Sequence, residues 1–221
     1  MKRLQTNVKK RAEYFKTSKL KLTLNNTKNF TFYLVPFVCG LISTLSLPPY
    51  NFFYFNFISF PVLLLFYLSL IIKKNFSSFL YGWIFGFAYF VSNIYWITNS
   101  LTVEEIFKPL IPFAIIIIPL FLGIFYGVAF LIFSFFKPKK KIESIFLFAL
   151  IFSFIEYLRG HILGGFPWNL ISFSLVEINQ LIQILSYVGT YSFNLIVVTI
   201  FLVPAAIFFE VTTKSKLLHS F

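Results

Sequence analysis

This chain has 221 residues, 58% of them hydrophobic and only 12% charged, and so it is not composed like a soluble domain, where about a quarter of residues carry charge. Its net charge is +12, yet one cysteine, Cys39, excludes an internal disulfide framework. Two distant histidines, His161 and His219, exclude a zinc constellation, so no metal and no cofactor are expected. The apolar residues run in long stretches, which makes the chain an integral membrane protein of the all-α class, a polytopic transmembrane helix bundle.

Residues 1–29 are a basic leader carrying Lys2, Arg3, Lys9, Lys10, Arg11, Lys16, Lys19, Lys21 and Lys28. It is too short and too charged to fold alone. Beside a membrane segment it reads as a cytoplasmic tail facing anionic lipid, not as a nucleic-acid binder. No small-residue cleavage site follows the first apolar run, so no cleavable signal peptide is expected.

A spanning helix needs about 20 mostly apolar residues. About six such spans are expected, over roughly 30–47, 52–72, 77–98, 109–136, 142–162 and 182–209. The first stops at Pro48-Pro49-Tyr50, where proline cannot continue a helix, so it forms a tight hairpin with the second. Gly82 and Gly86 in the third, and Gly123 and Gly127 in the fourth, let helix backbones approach closely. The 34 phenylalanines are attributed to an AT-rich coding sequence and given no individual role.

Lysine distribution orients the bundle. Lys73 and Lys74, then Lys137, Lys139, Lys140 and Lys141, then Lys214 and Lys216 share one side with the leader, against only Lys108 and Arg159 on the other. By the positive-inside rule both termini are cytoplasmic, and 48–51, 99–108 and 163–181 face outward with Glu104, Glu105 and Glu177. The expected organisation is a tail over 1–29, a bundle over 30–209 and a cytoplasmic end over 210–221.

Chemistry is sought where polar groups enter apolar helices. Glu156 and Arg159 stand three residues apart near the end of the fifth span, on one helix face. Such a pair is read either as a structural ion pair that pins the helix end, or as a phosphate-attracting arginine oriented by the acid. Gly164-Gly165-Phe166-Pro167-Trp168 follows, where glycine permits a sharp exit and proline stiffens it. Trp168 suits the membrane boundary, as an anchor or as the tip of an outer-face arm contacting lipid or protein. Asn93 and Trp96 close the third span. Asn93 needs a hydrogen-bond partner there, supplied by a neighbouring helix or by a cavity shared with Trp168. Cys39 lacks a charged neighbour and is no nucleophile, and His161 is a surface histidine.

Three runs carry a family resemblance. Glu156-Tyr157-Leu158-Arg159-Gly160, followed by Gly165-Phe166-Pro167-Trp168, resembles the signature of bacterial apolipoprotein N-acyltransferase. Cys39-Gly40 with Leu47-Pro48-Pro49-Tyr50 resembles that family's first span and its exit. Gly82-Trp83, Gly86 and Asn93-Ile94-Tyr95-Trp96 resemble its third span. The resemblance covers about residues 30–209.

It implies a multi-pass protein of the bacterial inner membrane that takes part in lipoprotein maturation. Such an enzyme transfers an acyl chain from a glycerophospholipid donor to the N-terminal diacylglyceryl-cysteine of an apolipoprotein acceptor, through a thioester. A nitrilase-like domain supplies the Glu–Lys–Cys triad in the family. No residue of this chain is assigned to that triad, so the chain is expected to be the membrane portion, inactive alone and paired with a nitrilase-like half encoded further along or separately. Glu156, Arg159, Gly165, Phe166, Pro167, Trp168, Asn93 and Trp96 are the candidate lipid-contact residues. In that setting, Trp168→Ala and Arg159→Ala are expected to lower acyl transfer without unfolding. A non-catalytic scaffold of the same family and a small transporter are the competing readings.

Overall fold

The computed structural model describes residues 30–70, 75–94, 97, 101–136, 138 and 140–209, and among them every regular element is helical. The leader, the segment 210–221, Trp96 and most of the orienting lysines lie outside the described residues. The chain divides into two compact units, Met1–Val35 and Pro36–Phe221. In the first, residues 30–35 open helix α1 (Phe30–Thr44), and the rings of Phe32 and Tyr33 meet edge to face at 5.1 Å. The core and the candidate site lie in the second.

There α1 ends at Thr44, a few residues before the expected proline stop. The amide of Phe52 donates to Leu45 O at 2.9 Å and that of Tyr50 to Leu47 O at 3.0 Å, turning the chain back. A 3-10 turn, Phe53–Phe55, then leads into α2, Asn56–Ser69. The expected hairpin is sealed by small hydroxyls. Ser43 and Ser59 share a hydrogen bond of 2.6 Å, Ser59 donates to Cys39 O at 2.7 Å, and Asn56 Nδ2 donates to Ser46 Oγ at 2.7 Å. Side-chain pairing of this kind is what buried polar atoms require away from water.

Helix α3 (Asn75–Asn93) packs along α4 (Ile111–Phe136), which a 3-10 segment Glu105–Leu110 introduces. The glycine pairs make this closeness possible. A Cβ on Gly86 would lie 2.9 Å from Gly123 Cα, and one on Gly123 would lie 3.0 Å from Phe87 N. Helix α5 (Lys141–Arg159) packs on α4 and on α8 (Thr190–Phe201).

One boundary differs from expectation. The sequence predicts a last span over 182–209, but within residues 179–188 there are two short helices, α6 (Asn179–Ile182) and α7 (Leu185–Val188). Gly189, at φ +78°, then breaks the chain before α8, because a left-handed backbone is one glycine adopts freely. From Thr190 the helical stretch reaches Phe209.

The phenylalanines also differ from expectation. Phe60, Phe85, Phe130, Phe148, Phe152 and Phe201 are fully buried. They form one continuous aromatic core, with Tyr126–Phe152 centroids 4.6 Å apart, Phe130–Phe148 5.0 Å and Phe57–Phe201 4.9 Å. Ring-to-ring packing between helices explains their positions.

Among the described residues, two helical stretches, Lys108–Phe136 and Thr190–Phe209, are long and apolar enough to cross a membrane, and Phe30–Thr44 and Phe53–Ser69 are shorter apolar helices. The outer faces match. On α5, Phe146, Leu150 and Phe154 recur at four-residue spacing and are exposed, while Phe148, Phe152 and Ile155 face inward. An outward row of large apolar side chains suits hydrocarbon better than water. The described residues therefore form a helical bundle compatible with a membrane.

Candidate functional site

Helix α5 brings Glu156 and Arg159 to its last turn, and both are buried to within 1% of full burial. Arg159 Nη2 lies 3.6 Å from Glu156 Oε1. The two side chains then divide the work. Glu156 gathers the bundle: Tyr126 Oη on α4 donates to its Oε1 at 2.9 Å, and Asn194 Nδ2 on α8 donates to its Oε2. Asn194 Oδ1 in turn accepts the amide of Ser172 at 2.9 Å, tying in the 3-10 segment Ile171–Leu175.

Arg159 holds the segment that follows. Its Nη1 donates to Phe166 O at 2.7 Å and to Trp168 O at 2.8 Å. The guanidinium also lies 5.2 Å from the Phe90 ring centroid and 5.8 Å from that of Phe166. A planar fork reaches two carbonyls from one nitrogen while its face meets rings. Nη1 is thus spent on the protein's own backbone, while Nε and Nη2 are buried with no hydrogen-bond partner, Nη2 keeping only its ion-pair contact with Glu156.

Between Arg159 and Phe166 the chain makes a tight loop. Leu163, Gly164 and Gly165 are successive left-handed residues, at φ +55°, +87° and +71°. The amide of Phe166 returns to Arg159 O at 2.8 Å, closing the loop. Gly165 is fixed twice over, since a Cβ there would lie 2.6 Å from Gly160 O. We expect Gly165→Ala to destabilise the fold by about 1–2 kcal/mol from backbone conformation alone, and more from the clash. Thermal unfolding of the purified variant checks this; a midpoint equal to that of the parent would contradict it.

Beyond the loop the chain points outward. Pro167 and Trp168 are exposed, Trp168 at 55%. Asn169, at φ +60°, presents its carbonyl to Tyr89 Oη at 3.0 Å, which anchors the arm to α3. Trp168 lines an open cavity of about 610 Å³ together with Leu47, Pro49, Asn93, Phe173 and Val176. The end of α3 and the segments that follow α1 and α5 therefore meet around one space. Asn93 is 8% exposed, and its Nδ2 has no hydrogen-bond partner.

Of the sequence-derived candidates, Glu156, Arg159, Phe166 and Trp168 form one connected unit, which Gly165 and Pro167 shape. Asn93 joins Trp168 at the cavity, and Trp96 lies outside the described residues. His161 is exposed, its Nδ1 donating to Tyr157 O at 2.7 Å. Cys39 is buried at 3% exposure inside the α1–α2 hairpin, far from any role as a nucleophile.

Sequence reasoning missed Tyr126, Asn194, Tyr89 and Asn169. Asn194 carried a usable signal, since an asparagine within an apolar helix must find a partner. The same signal marks Asn93. Tyr126 and Tyr89 carried none, because their value depends on which helices become neighbours.

Comparison with known proteins bears on the same residues. The sequence profile of the apolipoprotein N-acyltransferase N-terminal domain matches residues 39–203. The chain is 33% identical over 180 residues to the apolipoprotein N-acyltransferase of Brucella melitensis biotype 1, covering 78% of this chain and 34% of that protein. It is 34% identical over 183 residues to that of Sinorhizobium medicae, with the same coverage. The Rhizobium meliloti enzyme is 32% identical over 186 residues, again covering 78% and 34%. The chain thus spans about a third of the length of the curated relatives it matches.

Proposed function

The chain belongs to the apolipoprotein N-acyltransferase family, and from that membership we propose that it forms the membrane portion of a phospholipid:apolipoprotein N-acyltransferase in the bacterial inner membrane. Its bundle crosses the bilayer about six times with both termini cytoplasmic, and the ends of α1, α3 and α5 face outward. The enzyme's thiolate attacks an ester carbonyl of a glycerophospholipid and releases the lysophospholipid. The α-amino group of a diacylglyceryl-cysteine then attacks the thioester, forming the amide and restoring the thiol. The Glu–Lys–Cys triad resides in the nitrilase-like portion of the enzyme, further along the polypeptide or separately encoded. No residue described here is assigned to it.

The observation that supports this reading most is the arm. Arg159 fixes the carbonyls on either side of Pro167, so that an exposed Trp168 is held beside an apolar cavity at one end of the bundle. A rigid aromatic tip at a lipid-accessible opening is suited to guiding a lipid or lipopeptide toward a domain seated above it. In this role Arg159 is a positioning residue, and Trp168, Phe166 and Asn93 are the lipid-facing ones.

The test uses the intact enzyme. Trp168→Ala is expected to reduce transfer of a labelled acyl chain from phospholipid to a lipoprotein peptide by about tenfold or more, with an unchanged unfolding midpoint, since the side chain is exposed. Normal turnover in this variant would remove the arm from the mechanism.

A further inference from the structure

The cavity at the arm has a feature that membrane-bundle packing does not account for. Its volume of about 610 Å³ lies in the usual range for small-molecule sites, about 300–1,000 Å³. Its walls are almost wholly apolar, and no charged residue is among them. The lining has two polar side chains, Asn93 and Asn169. Asn169 is engaged with α3, its Nδ2 directed at Asn93 O at a long 3.5 Å and its own carbonyl taken by Tyr89. Asn93 Nδ2 is buried and has no partner. A buried amide donor left unmet is costly.

We propose that this cavity binds an acyl chain of a glycerolipid, with Asn93 Nδ2 donating a hydrogen bond to the chain's ester carbonyl. The ligand that fits supplies a single neutral acceptor at the head of a long apolar body, and an O-acyl ester is that group. A phosphate or sugar head group is poorly matched, because none of the described lining residues is charged and Asn93 Nδ2 is the one buried side-chain donor among them without a partner. Access suits a lipid too: Trp168 and Val176, 55% and 42% exposed, stand at the rim. The inference rests on the family reading above and names the group that the membrane portion recognises. The ester has two sources, the phospholipid donor and the diacylglyceryl moiety of the acceptor, and both present the same carbonyl.

Native mass spectrometry of the full chain, released from detergent, measures the lipid retained. One arm compares phosphatidylethanolamine bearing ester-linked chains with an analogue bearing ether-linked chains of equal length. The other makes the same comparison for an S-diacylglyceryl-cysteine peptide. In at least one arm the ester form should be retained about fivefold over the ether form, the worth of one hydrogen bond. The arm showing the preference identifies the source. Asn93→Ala should abolish the preference and leave ether binding unchanged. Equal retention of ester and ether in both arms overturns the proposal, as does a preference that survives Asn93→Ala. Should Asn93→Ala not fold, Val176→Trp at the exposed rim decides: filling the cavity must lower ester-lipid retention, and unchanged retention overturns the proposal. The outcomes separate from those of the family test. Normal transfer by Trp168→Ala sinks the arm's role while leaving the ester preference standing, and loss of the preference removes Asn93 while leaving Trp168 in place.

Discussion

Glu156→Ala is expected to destabilise the bundle by about 3–5 kcal/mol, the largest effect of any single change considered, because breaking a buried pair leaves the other charge uncompensated. The carboxylate is fully buried and is the common acceptor for Tyr126 on α4 and Asn194 on α8, beside the Arg159 cation on its own helix. Removing it strands two hydrogen-bond donors, on α4 and α8, and leaves the Arg159 cation on α5 uncompensated. Glu156→Gln should cost less but still be destabilising. It keeps an oxygen for Tyr126, but sets its own amide against Asn194 Nδ2, whose oxygen is already committed to the Ser172 amide. Thermal unfolding of both variants in one detergent checks the order. A Glu156→Ala midpoint within error of the parent would show that the carboxylate does not hold the helices together.

The second large effect concerns Arg159, and burial revises what sequence alone suggests for it. Arg159→Ala is expected to unfold the protein partially, not merely to weaken function, since it leaves Glu156 buried and unpaired. The informative variant is Arg159→Lys. Lysine keeps a cation near Glu156, but its flexible stem does not fix a nitrogen where the rigid guanidinium holds Nη1, between Phe166 O and Trp168 O. The bundle should survive while residues 163–169 come loose. Hydrogen exchange should accelerate at the amides of Gly165 and Phe166, whose acceptors are Ile162 O and Arg159 O, and stay unchanged within α4 and α5. In the intact enzyme acyl transfer should fall about 10- to 100-fold, in line with a displaced substrate-positioning element. Protected loop amides together with normal transfer in Arg159→Lys would show that the arm does not depend on the guanidinium.

These effects come from one arrangement. An acid that joins helices and a base that joins a loop lie one turn apart on α5, so the arm's position is referred directly to the bundle interior. The loop between them needs its glycines because three successive residues take left-handed φ. Trp168 can then be exposed and still fixed, its backbone held while its ring remains available.

Much of this was legible in the chain itself. Long apolar runs with few charges dictate helices that satisfy their own backbone, which is why the helical class and the approximate helix positions are legible in the sequence. The i, i+3 spacing of Glu156 and Arg159 placed them on one face, and Gly164-Gly165 marked the exit. The family resemblance rested on the same residues. Three things depended on tertiary structure. Local spacing cannot say which helices become neighbours, so the roles of Tyr126, Asn194 and Tyr89 appeared only when α4, α8 and α3 were packed around α5. Composition cannot distinguish a phenylalanine kept by coding bias from one in the core, because burial is set by contacts distant in sequence. And whether Arg159 faces a lipid or the protein's own carbonyls is decided by where residues 166–168 fold back. A guanidinium takes whichever acceptors lie within reach, and here the folded chain brings its own.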